Sequence, residues 1–199
     1  MQRTGTRIIT LIVLAAVLAT VMAVATPAFG QTNNEVTVYR FYNQGTATHF
    51  YTASVEERDM VIATWPTVFT YDGPAFVIFE EGWFPPEYEP PRAPVYRFFN
   101  KVTKAHFYTI SLDEANMVIS KYPAVYTYDG VGFEAYTESN EYVSLVPVYR
   151  FYNMNNGSHF YTASAVEKAI VQIQYRDTYR YEGVAFFAIP YGYYYFARL

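Results

Sequence analysis

The sequence contains no cysteine among its 199 residues, so neither a disulfide nor a lipid-modified cysteine can contribute to folding or anchoring. Stability must therefore come from a hydrophobic core, which a chain of this length is able to form. A basic run is also lacking, and 18 acidic residues outnumber 14 Lys and Arg residues, which argues against a nucleic-acid or anionic-lipid partner. Catalytic signatures such as Gly-x-Ser-x-Gly, His-Glu-x-x-His and a phosphate loop are absent too. These absences predict a protein that is not an enzyme and needs no cofactor.

The first 30 residues have the composition of a secretory signal peptide. Arg3 and Arg7 precede an apolar run from Ile8 to Ala25, and the small residues of Thr26–Gly30 follow it. We therefore predict a cleaved signal at 1–30 and a secreted or periplasmic protein without membrane contact after cleavage. The apolar run is just long enough to span a bilayer, so an uncleaved anchor is the alternative.

A repeat organises the remaining chain, because the tetrapeptide His-Phe-Tyr-Thr occurs three times and uses every histidine. Each copy has a Tyr-Arg-Phe tripeptide that begins ten residues before the His, and an acid followed by Gly that begins 23 residues after it. Such a fixed spacing indicates one structural unit used three times. We place the units at 38–79, 95–136 and 148–187 within a single domain of residues 31–199, with a β-prone tail at 188–199.

Each unit is predicted to contain a strand, a second strand, a helix and a third strand. In the first copy Val38–Asn43 and Thr48–Ala53 are rich in aromatic and β-branched residues, which is typical of a hairpin. Ser54-x-x-Glu57 is a capping box, in which the Ser hydroxyl accepts from the Glu N–H and the Glu side chain reaches back. The helix would bury an apolar face that includes Met60 and Trp65. A strand interrupted by a glycine bulge follows.

These elements predict an α+β fold in which three units pack on one another, since one unit of about 42 residues cannot bury its own faces. We expect a compact pseudo-threefold, propeller-like domain, and a linear stack is the alternative. The tail would close the ring against repeat one. The first linker, Glu80–Pro94, contains five prolines and is predicted to be extended; the second, Thr137–Pro147, is shorter and polar.

The combined motif Val-Tyr-Arg-Phe-Tyr-Asn, His-Phe-Tyr-Thr and Tyr-[Asp/Glu]-Gly-x-x-Phe resembles a bacterial repeat family of unknown function, over nearly all of residues 38–187. Repeats of that family are typically secreted and often accompany cell-wall hydrolases or peptidases. The resemblance implies an accessory, non-catalytic module, and it supplies no ligand.

A polar set recurs at matched positions in the three units, and it is the candidate binding site. Aromatic faces combined with planar polar groups suit a carbohydrate, so we predict a cell-envelope or extracellular glycan as the ligand, with three weak sites acting together. The candidate residues are Arg40, Asn43, His49, Tyr51 and Asp72; Arg97, Asn100, His106, Tyr108 and Asp129; and Arg150, Asn153, His159, Tyr161 and Glu182.

The competing prediction is a structural or protein-interaction scaffold, in which the same residues lock one repeat to the next. Arg40 would pair with Glu57 or Asp72, His49 would donate to a backbone carbonyl, and Asn43 would cap the hairpin turn. Contact with another protein would then use exposed aromatic residues of the asymmetric segments. These are predicted to be Trp83, Phe84 and Tyr88 in the first linker, and residues 191–195 in the tail.

A zinc site is the third interpretation, since three histidines around an axis could present three imidazoles to one ion. The lack of cysteine and of His-x-x-x-His pairs argues against it, so no metal is predicted.

Overall fold

The computed structural model describes residues 35–140 and 142–192, and the predicted signal peptide lies outside these ranges. Within them the chain forms nine β-strands and three α-helices in the order strand, strand, helix, strand, three times over. Repeat one contains β1 (Glu35–Asn43), β2 (Thr48–Thr52), α1 (Val55–Thr64) and β3 (Phe69–Phe79). Repeat two contains β4 (Arg92–Asn100), β5 (His106–Thr109), α2 (Leu112–Lys121) and β6 (Tyr126–Tyr136). Repeat three contains β7 (Val146–Asn153), β8 (His159–Thr162), α3 (Ala165–Gln174) and β9 (Tyr179–Ala188). The predicted α+β class is confirmed.

The strands of each repeat pair antiparallel, with the first strand in the middle. Repeat one forms a three-stranded sheet in the order β2-β1-β3, and the other two repeats share a six-stranded sheet in the order β5-β4-β6-β9-β7-β8. The join between β6 and β9 consists of one residue pair, Tyr136 with Phe187. Among the described residues, one isolated bridge, between Val77 and Ile189, connects the tail that follows repeat three to repeat one.

The hairpin between the first two strands of each repeat is closed by a buried asparagine. In repeat one the Asn43 Oδ1 accepts hydrogen bonds from the backbone N–H groups of Gly45 and Thr46, at 2.9 and 3.2 Å. The predicted capping role of this residue is confirmed. The turn also needs a left-handed residue, and Ala47 and Lys104 adopt it with φ of 54° and 58°, whereas repeat three uses Gly157.

The third strand of each repeat carries the predicted bulge at the acid-Gly pair. Arg40 lies opposite Gly73 and Phe41 lies opposite Tyr71, so Asp72 is the extra residue of the bulge. Gly73 supports it with a φ of 99°, a conformation that favours glycine. Asp129 and Glu182 are the extra residues of the same bulge in the other repeats. A bulge turns its side chain out of the regular alternation, and this places the acid beside the first strand.

All three helices begin at the predicted serine cap, but only half of each capping box forms. In repeat one the Ser54 Oγ accepts from the Glu57 N–H at 3.0 Å, as predicted. The Ser54 N–H donates to Thr52 Oγ1 instead of Glu57. The threonine of the His-Phe-Tyr-Thr motif therefore replaces the glutamate, and the glutamate carboxylate is released for another contact.

Each helix buries fewer apolar side chains than the sequence predicts. Val61 is buried in α1, as is Val118 in α2, but Met60 and Trp65 are exposed. A helix of ten residues that packs on a single hairpin covers only one row of side chains. The prediction that Met60 and Trp65 belong to the core was wrong.

The main core lies where the three repeats meet. Val38, Val95 and Val148 are fully buried there. The Phe76, Phe133 and Phe186 rings contact one another with centroid distances of 5.6–5.8 Å. A smaller core lies between each hairpin and the helix that packs on it; in repeat one it includes Phe41, Phe50 and Val61.

The first linker is folded rather than extended. A turn forms at Pro85, whose carbonyl accepts from the N–H groups of Tyr88 and Glu89. Phe84 is buried against the core, so the prediction that it is exposed was wrong. Trp83 stacks on Phe79 with ring centroids 4.7 Å apart. Apolar anchors thus fold a segment whose proline content favours extension.

In the described part of the tail, the backbone bonds to repeat one as predicted, but through one residue and at a different strand. Ile189 exchanges two backbone hydrogen bonds of 2.9 Å with Val77. Val77 belongs to β3 and lies opposite Thr37 of β1. Residues 193–199, which carry most of the predicted closing strand, lie outside the described residues.

Candidate functional site

The polar set of each repeat assembles at the junction between two repeats, and we call this place the junction. Its first component is the arginine of the first strand, which faces the acid of the bulge. The Arg40 Nε lies 3.0 Å from Asp72 Oδ2, and Arg150 Nε lies 3.0 Å from Glu182 Oε2. The equivalent separation in repeat two is 3.8 Å, from Arg97 Nε. The bulge thus supplies each arginine with an acid from its own repeat.

The same arginine also reaches the helix start of a neighbouring repeat. Each Nη1 contacts the glutamate that the half-formed capping box leaves available. The three pairs are Arg97 with Glu57 at 2.8 Å, Arg150 with Glu114 at 2.8 Å and Arg40 with Glu167 at 3.0 Å. The prediction that Arg40 pairs with Asp72 is confirmed. Its second partner is the glutamate of repeat three, because Glu57 is turned toward repeat two.

The tyrosines of the three motifs form a closed hydrogen-bonded triangle at the centre. The Tyr51 hydroxyl donates to the Tyr161 carbonyl at 2.6 Å and accepts from the Tyr161 N–H at 3.1 Å. Tyr161 contacts Tyr108 in the same way, and Tyr108 contacts Tyr51. The three rings lie 5.7 Å apart and nearly perpendicular to one another. Every hydroxyl of the triangle therefore has both a donor and an acceptor partner within the protein.

The histidines lie beside the same acids and pack on a phenylalanine of the neighbouring repeat. His106 Nε2 is 3.4 Å from Asp129 Oδ2, and its ring lies 4.9 Å from the Phe50 ring. His49 and His159 pack equally on Phe160 and Phe107. The expected bond of His49 to a backbone carbonyl is not among the hydrogen bonds of the described residues, and His49 Nε2 instead lies 4.0 Å from Asp72 Oδ2, which is too far for a hydrogen bond.

Burial and charge determine how the junction groups titrate. Burial, together with the nearby Arg40, lowers the pKa of His49 to about 3, and the same causes with Arg97 lower the pKa of His106 to about 4. Burial raises the pKa of Asp72 and Asp129. The hydrogen bond from His159, aided by Arg150, lowers the pKa of Glu182 to about 2. The first two histidines are thus neutral at neutral pH.

A known family model matches the part of the chain that contains the three repeats. The family model of a domain of unknown function, DUF5648, matches residues 20–85 and 37–189. The chain belongs to the DUF5648 family. No curated protein and no solved structure matches it. The predicted membership of an uncharacterised family is confirmed, whereas the role of the motif and secretion remain predictions.

The DUF5648 domain places all the candidate ligand residues at or next to the junctions. The three arginine side chains are 19–20% exposed, and the three tyrosines are buried. The asparagine oxygens are used by the hairpin turns. The tyrosine hydroxyls and the asparagine oxygens are therefore engaged within the protein. The buried Arg97 Nε and Glu182 Oε2, by contrast, have no hydrogen-bond partner of good geometry among the described residues. A direct role of the set in ligand binding remains a prediction.

Two shallow pockets in the described part of the DUF5648 domain are lined by other residues. One lies between repeats one and two and includes Val36, Phe79 and Arg92. The other lies in repeat two between α2 and β6, with Ile119, Pro123 and Tyr128 among its lining residues. Neither contains a member of the candidate set.

Within residues 35–140 and 142–192, no group of three or more His, Asp or Glu residues is arranged to hold a metal ion. Each histidine of the DUF5648 domain instead faces one carboxylate of its own repeat. In the same ranges no helix is long and apolar enough to cross a bilayer.

One feature of the surface was missed by sequence reasoning. Tyr88 was predicted to be exposed, and it is, but its contact with Tyr142 of the second linker was not foreseen. The two rings lie 4.7 Å apart. A tyrosine in each of two linkers that flank the same repeat was the available signal.

Proposed function

We propose that the DUF5648 domain is a secreted, non-catalytic binding module for a cell-envelope or extracellular glycan, built as a pseudo-threefold, propeller-like ring. In this proposal the repeated polar residues hold the ring together, and the ligand binds elsewhere on the surface. The tyrosine triangle is the observation that carries the structural role of the repeated residues, because its six hydrogen bonds use residues from all three repeats and occupy the hydroxyl of each of the three tyrosines.

The contacts between repeats support a ring over a linear stack. In a stack the first and last repeats would not touch. Here Arg40 of repeat one contacts Glu167 of repeat three, and His49 packs on Phe160. The bridge between Val77 and Ile189 joins repeat one to the tail that follows repeat three.

The threefold equivalence of the junctions supports a non-catalytic role. Acid–base catalysis needs an acid and a base with different tasks, usually in one asymmetric site. The junctions instead repeat one arrangement of arginine, histidine and acid, with each arginine bridging two carboxylates. Such a bridge neutralises the acid and holds it in place, which suits a structural role.

Three sequence features support the assignment to a glycan outside the cell. The signal-like segment at 1–30 supports secretion, and the acidic composition argues against nucleic acid. Tyrosine is abundant, and exposed tyrosines supply a flat apolar face with a polar edge. The family resemblance, which implies an accessory module beside cell-wall enzymes, agrees with this class of ligand.

A pull-down on insoluble polymers tests the proposal. The purified protein is mixed with peptidoglycan, chitin and cellulose, and the bound fraction is measured after centrifugation. We expect saturable binding to at least one polymer, and binding to none would refute the glycan assignment. An Arg97→Met variant separates the two roles, since it should bind equally well while unfolding at a lower temperature.

The second candidate function is a protein-interaction scaffold, and exposed apolar residues on two helices favour it. Met60 and Ile62 on α1 are exposed, and so are the equivalent Met117 and Ile119 on α2. If the polymers do not bind, sedimentation velocity at increasing protein concentration tests whether these faces associate. A Met117→Lys variant should then abolish the association.

A further inference from the structure

We infer that the glycan binds to a platform formed by Tyr88 and Tyr142, and that the ligand is a glycan chain without acidic groups. We call these two residues and Asn140 the linker platform. This inference rests on the proposed function and assigns it a site. The platform lies outside the repeats, in the two linkers that precede β4 and β7.

The two tyrosine rings pack against each other, and each keeps an exposed outer surface. Tyr88 is 40% exposed and Tyr142 is 59% exposed, and their planes are tilted by 43° at a centroid distance of 4.7 Å. The outer surface of such a packed pair can contact the C–H face of a sugar unit. Tyrosine is suited to this task because it provides a large, rigid contact area with few rotatable bonds.

Asn140 fixes the backbone of both tyrosines. Its Nδ2 donates to the Tyr88 carbonyl at 3.0 Å, and its Oδ1 accepts from the Tyr142 N–H at 3.0 Å and from the Val143 N–H at 2.7 Å. One side chain therefore joins the two linkers at the point where each presents its ring. Val143 is buried in the main core, so this connection is anchored to the body of the domain.

The first linker holds Tyr88 from the other side. Its N–H donates to the Pro85 carbonyl at 2.8 Å. The Glu89 carboxylate accepts from the Phe84 N–H at 3.1 Å and pairs with Arg92. Phe84 is buried, so the turn that carries Tyr88 is tied to the core. A preorganised platform loses little entropy when a ligand binds, which favours a weak ligand such as a sugar chain.

The charge around the platform selects the class of glycan. The two linkers contain six glutamates and one arginine. Glu87 and Glu138 are exposed close to the tyrosines in sequence. Carboxylates accept hydrogen bonds from sugar hydroxyls, but they repel the carboxylates and phosphates of acidic polymers. Neutral or amine-bearing chains are therefore favoured over acidic chains.

Isothermal titration calorimetry with soluble hexasaccharides tests the inference on the purified protein. The probes are chitohexaose and cellohexaose as neutral chains, chitosan hexamer as an amine-bearing chain and an alginate hexamer as an acidic chain. We expect binding of at least one of the first three and none of the alginate. Tyr88→Ala and Tyr142→Ala should each weaken binding by about tenfold.

Matched controls separate the platform from general effects. Tyr122→Ala removes a ring that is 47% exposed on another part of the surface, and it should bind like the unchanged protein. Asn140→Ala should weaken binding although it removes no ligand-contacting ring, and near-unchanged melting temperatures would show that these variants are folded.

Each outcome has one meaning. If chitohexaose binds but both tyrosine variants bind equally well, the platform is wrong and the proposed function stands. If alginate binds as tightly as the neutral chains, the assigned ligand class is wrong. If no probe binds to the unchanged protein and the insoluble polymers fail as well, both the platform and the proposed function are refuted.

Discussion

Replacing Tyr51 by phenylalanine removes one hydroxyl from the centre of the protein and deprives two backbone groups of their partner. That hydroxyl donates to the Tyr161 carbonyl at 2.6 Å and accepts from the Tyr161 N–H at 3.1 Å. Tyr51 and Tyr161 are both buried, so water cannot replace the lost hydroxyl without an opening of the core. The aromatic ring of residue 51 remains in place, so the substitution removes the hydrogen bonds and leaves the packing.

The expected loss follows from the two groups left behind. A buried N–H or C=O group without a partner costs about 1–3 kcal/mol. Relaxation of the triangle recovers part of that, so we expect Tyr51→Phe to lower the free energy of unfolding by about 3 kcal/mol. For a domain of this size the melting temperature should fall by about 10 °C.

Chemical denaturation in urea, followed by tryptophan fluorescence, measures this loss. Tyr108→Phe and Tyr161→Phe should each cost the same within about 0.5 kcal/mol, because each hydroxyl holds one carbonyl and one N–H of the preceding repeat. The control is Tyr122→Phe, which changes an exposed tyrosine and should cost less than about 0.5 kcal/mol. Losses below about 1 kcal/mol in all three triangle variants would show that the triangle does not hold the ring together.

Three further predictions concern the turns, the junctions and their titration. Ala47→Gly should stabilise the protein by about 0.5 kcal/mol because it relieves a left-handed φ of 54°, and Gly157→Ala should destabilise it; the opposite signs in denaturation would contradict the turn assignment. A double-mutant cycle of Arg97→Met and Glu57→Gln should give a coupling free energy of about 1–2 kcal/mol for their partly buried pair, whereas a value near zero would remove the junction as a source of stability. Since the pKa of His106 falls to about 4 in the folded protein, the unfolded chain takes up a proton near pH 6.5 before the folded protein does. Stability should therefore decrease as the pH falls from 6.5 to 4, and less so in His106→Gln, measured by urea denaturation at each pH; an unchanged slope would contradict this.

Local features of the fold could be predicted because they depend on neighbours in the chain. The serine caps, the turn asparagines and the glycine bulges all follow from short-range hydrogen bonds and backbone geometry. Their recurrence at matched spacing made each prediction stronger than a single instance would be. The element order within each repeat follows directly from these signals.

The polar partners within one repeat, such as Asp72 for Arg40, could be predicted, but the partners that lie in a neighbouring repeat could not. A capping box predicts that Glu57 returns to its own helix start. In the structure the Ser54 N–H donates to Thr52 Oγ1 instead, and the Glu57 carboxylate pairs with Arg97 of the next repeat. Both arrangements satisfy the local chemistry, and the choice between them is made by the charge that the neighbouring repeat brings.

The same argument applies to the first linker. Five prolines favour an extended chain in isolation, but burial of Phe84 and the contact of Trp83 with Phe79 fold the linker onto the core. Burial of a large aromatic side chain contributes about 2 kcal/mol, which is enough to override a local preference. The linker sequence alone does not reveal this folding, because Phe79, on which Trp83 packs, belongs to the preceding strand.

The division between repeated and unrepeated residues carries the functional argument. The recurring arginines and helix-start glutamates pair across the junctions, and the three tyrosines of the triangle use their hydroxyls for bonds to one another's backbone. In the proposed ring, ligand recognition is assigned to the segments that differ between copies. The linkers are such segments, and they place Tyr88 and Tyr142 together through Asn140. The His-Phe-Tyr-Thr motif then explains how the domain holds its shape, and the linker platform is where selectivity for a ligand is expected to arise.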